Sequence, residues 1–146
     1  MDDIEAIKQL KARYFRTMDT KDWDGMRRVF ADDVTMDPTA SGGGVVTGAD
    51  EFLAFLRQAI GDVVPVPHGH MPAIVLSSPT TATGIWAMED MLRWPDGREL
   101  HGYGHYHETY ERIGGEWLIK SSTLTRLRMD FSESASGART PHSSAT

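Results

Sequence analysis

The second half of the chain is a run of strand-like segments separated by short turn signals, and this pattern constrains the fold most. Strand patterns cover residues 71–76, 82–94, 99–113 and 116–131. The turn signals between the last three are Trp94-Pro95-Asp96-Gly97 and the pair Gly114-Gly115. Long strands at hairpin spacing pair with their neighbours in antiparallel fashion. We therefore expect an antiparallel meander.

The first half carries helical patterns instead. Within residues 3–19, apolar side chains recur every three or four residues, at Ile4, Ile7, Leu10, Tyr14 and Met18. Asp22 is placed to cap a second, short helix, and Thr47 to cap a third over residues 49–60. Helices that precede a run of strands indicate an α+β fold, here three N-terminal helices packed on a curved, mostly antiparallel sheet. Such a cone leaves an apolar pocket between helices and sheet.

Length and local composition together predict one domain followed by a short tail. The chain has 146 residues, enough for one sizeable core. We expect the domain over residues 1–131. Residues 132–146 are rich in Ser, Ala, Thr and Gly, which predicts a disordered tail. Residues 34–36 suggest a short strand, and 39–48 a loop.

Composition excludes several classes of function. The net charge is −6 and no lysine or arginine cluster stands out, which argues against a nucleic-acid surface. No stretch approaches 18 consecutive apolar residues, so no membrane span is expected. The N-terminus is acidic and lacks an apolar run, so we expect no secretory signal and a cytoplasmic protein. The absence of cysteine excludes disulfides and thiolate chemistry.

Two groups of polar residues in the first half are candidates for chemistry. Tyr14 and Asp19 lie near the end of the first predicted helix, where the helix dipole would raise the pKa of the carboxyl. Spacing alone favours the alternative, in which Tyr14 packs in the core and Asp19 caps the turn. His68 and His70 flank Gly69 beside a strand start. No further ligand is implied by spacing, so we predict no metal site there.

The predicted strands carry the remaining candidates. Trp86, Met88 and Asp90 share one face of a strand, where a carboxylate among large apolar residues is out of pattern. Arg126 lies amid Leu and Thr in the last strand, and either anchors a ligand oxygen or pairs with Asp90. Another strand places four polar rings on one face, which suits proton transfer or a subunit interface: His101, Tyr103, His105 and His107.

These residues, taken in order, resemble the SnoaL-like branch of the NTF2-like cone folds, which includes scytalone dehydratase and ketosteroid isomerase. The resemblance is closest to the bile acid 7α-dehydratase branch and covers roughly residues 3–130. The first stretch that carries it runs from Asp3 through Ile7 and Leu10 to Tyr14, Phe15 and Asp19, followed by Trp23 and Asp24. The others are Gly69 to Pro72, then Thr81 to Gly84 with Trp86, Glu89 and Asp90, and more weakly Tyr110 to Ile113, Trp117 and Arg126.

The resemblance implies roles for particular residues. Tyr14 and Asp19 match the family's helix-one pair, His70 its active-site histidine, and Asp90 the aspartate that orients that histidine. Arg126 is similar to the family's arginine in the last strand. His105 falls where the scytalone enzyme has a second histidine. For His68, His101, His107 and His142 we expect structural or surface roles.

The function expected from this set is a cofactor-independent dehydratase. His70, oriented by Asp90, would remove a proton next to a carbonyl of a hydroxylated cyclic ketone such as a steroid or polyketide. Substrate contacts are expected from Phe55, Trp86, Met88 and Tyr103. The alternatives are an isomerase or cyclase, or a ligand-binding module without activity, in which His70 and Asp90 would lie out of hydrogen-bond reach. We expect neither a metal nor an organic cofactor. We also expect the protein to form a homo-oligomer, either a trimer or a dimer.

Overall fold

The computed structural model describes residues 2–133. Its helices are α1 (Asp3–Thr20), α2 (Trp23–Arg27) and α3 (Ala49–Ile60), with a single 3₁₀ turn at Thr39–Ser41. Its strands are β1 (Phe30–Asp37), β2 (Val46–Thr47), β3 (Val64–Ser78), β4 (Thr81–Arg93), β5 (Glu99–Ile113) and β6 (Glu116–Ser132). This is an α+β fold with three α-helices, as the order of helical and strand patterns predicts. Strand β6 extends to Ser132, the first residue of the predicted tail. Residues 134–146, which include His142, lie outside the described residues.

Helix α1 forms where the apolar stripe predicts it. The side chain of Asp2 caps the helix by accepting a hydrogen bond from the backbone N–H of Glu5 at 2.8 Å. The buried face carries Ile7, Leu10, Lys11, Tyr14 and Met18. The helix ends at Lys21, whose φ of 54° lies in the left-handed region that terminates helices. The stripe therefore places Tyr14 in the protein interior.

The two predicted helix caps have different outcomes. The prediction that Asp22 caps α2 is confirmed, because its carboxylate accepts a hydrogen bond from the backbone N–H of Gly25 at 3.0 Å. The prediction that Thr47 caps α3 is wrong. The N-cap is Gly48, which has no side chain to offer and a φ of 102° that favours glycine. Thr47 instead pairs with Thr35 in the short strand β2, within a segment predicted to be a loop.

The strands form one six-stranded sheet in the order β2-β1-β6-β5-β4-β3. The pairs β3–β4, β4–β5 and β5–β6 are antiparallel, which confirms the predicted meander. The first strand departs from it, because β1 lies parallel to β6. The sheet is therefore mixed. The expected homo-oligomer stays a prediction.

Strand β3 begins earlier than the sequence pattern indicates. The prediction started it at Met71, but pairing with β4 begins at Val64 and includes both His68 and His70. The register shifts between His70 and Ala73, where Met71 has a φ of 43°. A bulge here changes which side chains face inward. Prolines near the beginning of β3 are tolerated because it is an edge strand.

Alternation along the strands divides the sheet into two faces. On β4 the buried positions are Ala82, Gly84, Trp86, Met88 and Asp90, while the residues between them are exposed or half-buried. The inner face packs against the helices, and the core combines both layers. No helix within residues 2–133 has both the length and the apolar character that a membrane span requires.

The two-layer core supplies a direct test of this packing. Leu10 is fully buried within the core, whereas Leu127 on β6 is 75% exposed. We expect Leu10→Ala to lower the free energy of unfolding by about 2–5 kcal/mol, because it leaves a cavity in the core. The matched variant Leu127→Ala should change it by less than about 0.5 kcal/mol. Chemical denaturation measures both, and equal effects would contradict the packing.

Candidate functional site

A cavity of about 410 Å³ lies between the helices and the inner face of the sheet. Its wall is mostly apolar and draws on α1, α3 and five strands; Phe52 and Phe55 of α3, Met36 of β1 and Leu92 of β4 are typical lining residues. This volume falls in the range of small-molecule sites. The expected substrate contact Phe55 does line it.

Two charged side chains form the polar end of this cavity. Arg126 on β6 donates from Nη1 to Oδ1 of Asp90 at 2.8 Å and from Nη2 to Oδ2 at 3.1 Å. Both side chains are nearly buried, with exposed fractions of 8% for Arg126 and 11% for Asp90. The Nε of Arg126 donates to the hydroxyl of Ser41 at 3.1 Å. A two-pronged pair of this kind is rigid and has no net charge.

A glycine makes room for the pair. A Cβ built on Gly102 would lie 1.9 Å from Nη1 of Arg126 and 2.4 Å from Oδ1 of Asp90. Any side chain at this position would therefore displace the guanidinium or the carboxylate. Gly102 lies opposite Asp90 in the pairing of β5 with β4, so backbone register brings all three together.

Two phenol groups line the cavity close to this pair. Tyr14 of α1 and Tyr106 of β5 are buried, and their ring centroids lie 6.0 Å apart in an edge-to-face arrangement. Burial raises the pKa of Tyr14, and the charge of Glu108 raises it further. Burial also raises the pKa of Tyr106, with the neighbouring Tyr14 adding to the shift. Both phenols are therefore protonated near neutral pH and can donate hydrogen bonds to a ligand oxygen.

A second buried ion pair lies next to these phenols. Lys11 Nζ lies 2.7 Å from Oε2 of Glu108, and both side chains are buried. Glu108 also accepts hydrogen bonds from the hydroxyls of Tyr110 at 2.7 Å and Ser122 at 2.8 Å. Burial lowers the pKa of Lys11, and the charge of Glu108 opposes that shift. The site thus combines two ion pairs, each without net charge.

The expected pairing of His70 with Asp90 is wrong. Pro67 lies opposite Asp90 in the β3–β4 register, and His70 lies opposite Ala87. Because side chains alternate between faces, His70 points to the outer face while Asp90 points into the cavity. The His70 side chain is 51% exposed, and its Nε2 lies 3.8 Å from Oε1 of Glu89. Asp90 pairs with Arg126 instead, which was the alternative reading of both residues.

Asp19 is also outside the cavity, although Tyr14 on the same helix lines it. Asp19 is exposed and is not among the lining residues. Its pKa is raised, mainly by partial burial, and the charge of His68 opposes that shift. Asp19 is five positions after Tyr14, which turns the two side chains to different sides of an α-helix. The expected pair of Tyr14 and Asp19 is therefore split between cavity and surface.

The remaining expected site residues lie elsewhere. His105 and Tyr103 are half-buried on the outer face of β5, where Arg128 lies 5.4 Å from the centroid of the Tyr103 ring. Trp86 and Met88 face inward, but they are core residues and do not line the cavity. Trp86 donates from Nε1 to the hydroxyl of Tyr110 at 2.9 Å. This cavity is therefore not lined by the expected substrate contacts Trp86, Met88 and Tyr103, nor by the expected catalytic residue His105.

Sequence reasoning missed three residues of the site. Tyr106, Glu108 and Tyr110 share the inner face of β5, whereas the predicted site residues of this strand lie on its outer face. Lys11 lies on the helical stripe between Ile7 and Tyr14, so its position alone signals a buried charge. A charged residue on an apolar helical stripe could therefore have indicated this part of the site from the sequence. Within residues 2–133, no group of three or more His, Asp and Glu side chains is arranged to hold a metal ion.

Comparison with known proteins assigns the family. The SnoaL-like domain matches residues 1–123, which is most of the chain. This chain belongs to the SnoaL-like domain family. The resemblance found in the sequence is thereby confirmed at the level of the family and its α+β fold.

Individual relatives of this SnoaL-like chain are distant. A probable cyclase, FGR4, of Gibberella zeae is 26% identical, and the match covers 83% of this chain and 89% of that protein. A scytalone dehydratase-like protein of Novosphingobium aromaticivorans is 21% identical with a TM-score of 0.80, covering 89% of this chain and 87% of that one. The hexachlorocyclohexane dehydrochlorinase LinA-type3 of Novosphingobium barchaimii is 15% identical with a TM-score of 0.78, covering 88% of each chain. The two solved structures share the fold.

The contact between Gly102 and the ion pair can be tested by adding one methyl group. We expect Gly102→Ala to lower the free energy of unfolding by at least about 2 kcal/mol, because the new Cβ forces apart two buried charges. Gly44→Ala is the matched control, since a Cβ at Gly44 meets no atom within 4 Å. Chemical denaturation of both variants makes the comparison. A Gly102→Ala variant as stable as Gly44→Ala would contradict the geometry of the pair.

Proposed function

We propose that this chain is a small-molecule-converting enzyme that removes water from a neutral, mostly apolar hydroxy ketone bound in the cavity. One observation carries the proposal. The ion pair of Asp90 and Arg126 lies at the end of an apolar cavity, beside the protonated phenols of Tyr14 and Tyr106. A carboxylate and two hydroxyl donors around one space are the groups that proton transfer next to a carbonyl requires.

The charges of the site favour a neutral ligand. Arg126 is already neutralised by Asp90, and Lys11 by Glu108. A ligand carboxylate would therefore enter an apolar cavity as an unpaired charge, which is costly. A ketone or hydroxyl oxygen can instead accept hydrogen bonds from Tyr14 and Tyr106. A cyclic hydroxy ketone such as a steroid or an aromatic polyketide meets both conditions.

The proposed reaction uses Asp90 as the proton carrier. Its carboxylate removes a proton from the carbon next to the ketone, and the electron pair of the C–H bond moves towards the carbonyl oxygen. The phenols of Tyr14 and Tyr106 stabilise the negative charge on that oxygen. The carbon–carbon double bond then forms as the C–O bond to the hydroxyl breaks. Asp90 returns its proton to the hydroxyl, which leaves as water.

The names of the relatives support small-molecule conversion. The curated relative is named a probable cyclase, and one structural neighbour is scytalone dehydratase-like. A second structural neighbour is named a dehydrochlorinase, which like a dehydratase is an enzyme of elimination. Two of the three names thus describe the loss of a small molecule from a substrate.

A second candidate function is ligand binding without conversion. Among residues 2–133, no histidine lines the cavity, and His70 is out of hydrogen-bond reach of Asp90. That arrangement was the expected signature of a binding module. Isomerisation and cyclisation use the same proton transfer but lose no water, so the mass of the product separates them from dehydration.

A ligand screen followed by mass spectrometry tests the proposal. We expect hydroxy-ketone steroids or aromatic polyketides to raise the melting temperature, because a ligand that binds only the folded state stabilises it. Incubation of each stabilising compound with the protein should then yield a product lighter by one water. Stabilisation with no product would favour the binding module. A product of unchanged mass would favour isomerase or cyclase chemistry.

The role of Asp90 is tested by comparison with His70. We expect Asp90→Asn to lower turnover by at least about a hundredfold, because it removes the proton acceptor. Tyr106→Phe should lower it by about the same factor through loss of a donor to the carbonyl oxygen. His70→Ala, on the outer face, should retain turnover. Melting temperatures show which variants are folded, and a folded Asp90→Asn variant with full turnover would contradict the mechanism.

A further inference from the structure

A fully buried cation lies behind the cavity wall and takes no part in the proton transfer just described. The Nζ atom of Lys11 lies 3.7 Å from the centroid of the Tyr106 ring and 4.0 Å from that of the Tyr14 ring. Those rings carry the two phenols that line the cavity. The cation therefore contacts the π faces of the groups that would bind a ligand oxygen.

The hydrogen bonds around Glu108 show that this pair is charged. Three donors converge on its two oxygens, from Lys11, Tyr110 and Ser122. The hydroxyl of Tyr110 accepts from Trp86 Nε1, so its own proton points at Glu108. A group that only accepts is a carboxylate. A buried carboxylate needs a counter-charge, so Lys11 is an ammonium.

The ammonium is the charge of the pair that lies on the phenol rings, where it opposes the charge of Glu108, which raises the pKa of Tyr14 and Tyr106. Glu108 accepts its hydrogen bonds from Lys11, Tyr110 and Ser122. Lys11 has three N–H donors, of which one points to Glu108, and its Nζ also lies over the rings of Tyr14, Phe15 and Tyr106. A cation is attracted to the face of an aromatic ring, and its positive charge stabilises negative charge on an oxygen bonded to that ring.

Stability alone gives little reason for this arrangement. The face of α1 around Lys11 is apolar, with Ile7 and Met18 also buried. Replacing a buried ion pair with apolar residues of similar volume is often neutral or stabilising. The charge pair is thus a cost that a role in the cavity would offset.

We propose that Lys11 is a positioning residue that orients the phenols of Tyr14 and Tyr106 and strengthens them as donors to an anionic ligand oxygen. This inference rests on the proposed function, since it assumes that a ligand oxygen meets the two phenols. Lys11 itself lies behind the rings and touches no ligand. Its effect should appear in the ionisation of a bound probe.

The probe is 4-nitrophenol, whose phenol and phenolate forms absorb at different wavelengths. Its pKa in the complex reports how well the two tyrosines stabilise an oxygen anion. The variant is Lys11→Met combined with Glu108→Gln, which removes both charges, closely preserves side-chain volume and keeps an amide oxygen that can accept from Tyr110 or Ser122. We expect the pKa of the bound probe to rise by about 0.5–1 unit, which is about a threefold to tenfold weaker stabilisation of the anion. The affinity for 4-nitroanisole, which cannot ionise, should stay unchanged.

Two controls separate the possible outcomes. Lys120→Met removes a surface lysine that pairs with Asp33, and it should leave the pKa of the bound probe unchanged. Tyr14→Phe should raise the pKa of the bound probe, which shows that the probe meets the phenols. If the double variant does not fold, Lys11→Gln with Glu108→Gln replaces it, because two amides can hydrogen-bond to each other.

The results that overturn each claim are distinct. A folded double variant in which the bound probe keeps its wild-type pKa would overturn the role of Lys11 and leave the proposed function standing. Failure of the wild-type protein to bind 4-nitrophenol, or binding unaffected by Tyr14→Phe, would contradict the proposed function and the inference with it.

Discussion

The bidentate contact between Asp90 and Arg126 is the interaction on which the cavity depends. It joins β4 to β6 across β5, and it requires a residue without a side chain at Gly102 between them. Because neither charge is unpaired, an apolar cavity can retain polar groups at one end without the cost of burying a lone ion. Lys11 and Glu108 form a second buried ion pair behind the cavity wall, so neither of these charges is unpaired. Each of the two pairs is therefore neutral as a whole.

The periodicity of apolar residues in the sequence was sufficient to predict most of the helices and strands of the fold. The stripe from Ile7 to Met18 predicts α1, and the turn signal at Gly114 and Gly115 predicts the hairpin of β5 and β6. Both signals are local, because each depends on residues close together in the chain. The parallel contact of β1 with β6 joins residues about ninety positions apart and has no local signal. The alternating pattern of β4 also showed that Asp90 is out of place on an apolar face.

The candidate site was harder to predict because it depends on register between strands. His70 and Asp90 lie on neighbouring strands, but a register that sets Pro67 against Asp90 puts the two side chains on opposite faces. A resemblance to a family cannot supply that register. The resemblance implies a role for Arg126, whereas its contact with Asp90 follows from the need of a buried carboxylate for a counter-charge. Lys11 lies on the buried apolar stripe of α1, and a charged residue at such a position is a sequence signal for a buried ion pair.

The central claim is that the cavity recognises a neutral oxygen on an apolar skeleton. A pair of ligands of nearly equal shape tests it most directly: 2-acetylnaphthalene, a ketone, and 2-naphthoic acid, a carboxylate at neutral pH. Calorimetric titration of the wild-type protein should give at least about tenfold tighter binding of the ketone, because the carboxylate would be an unpaired buried charge. Tighter binding of 2-naphthoic acid would show that Arg126 is free to bind an anion and would contradict the account.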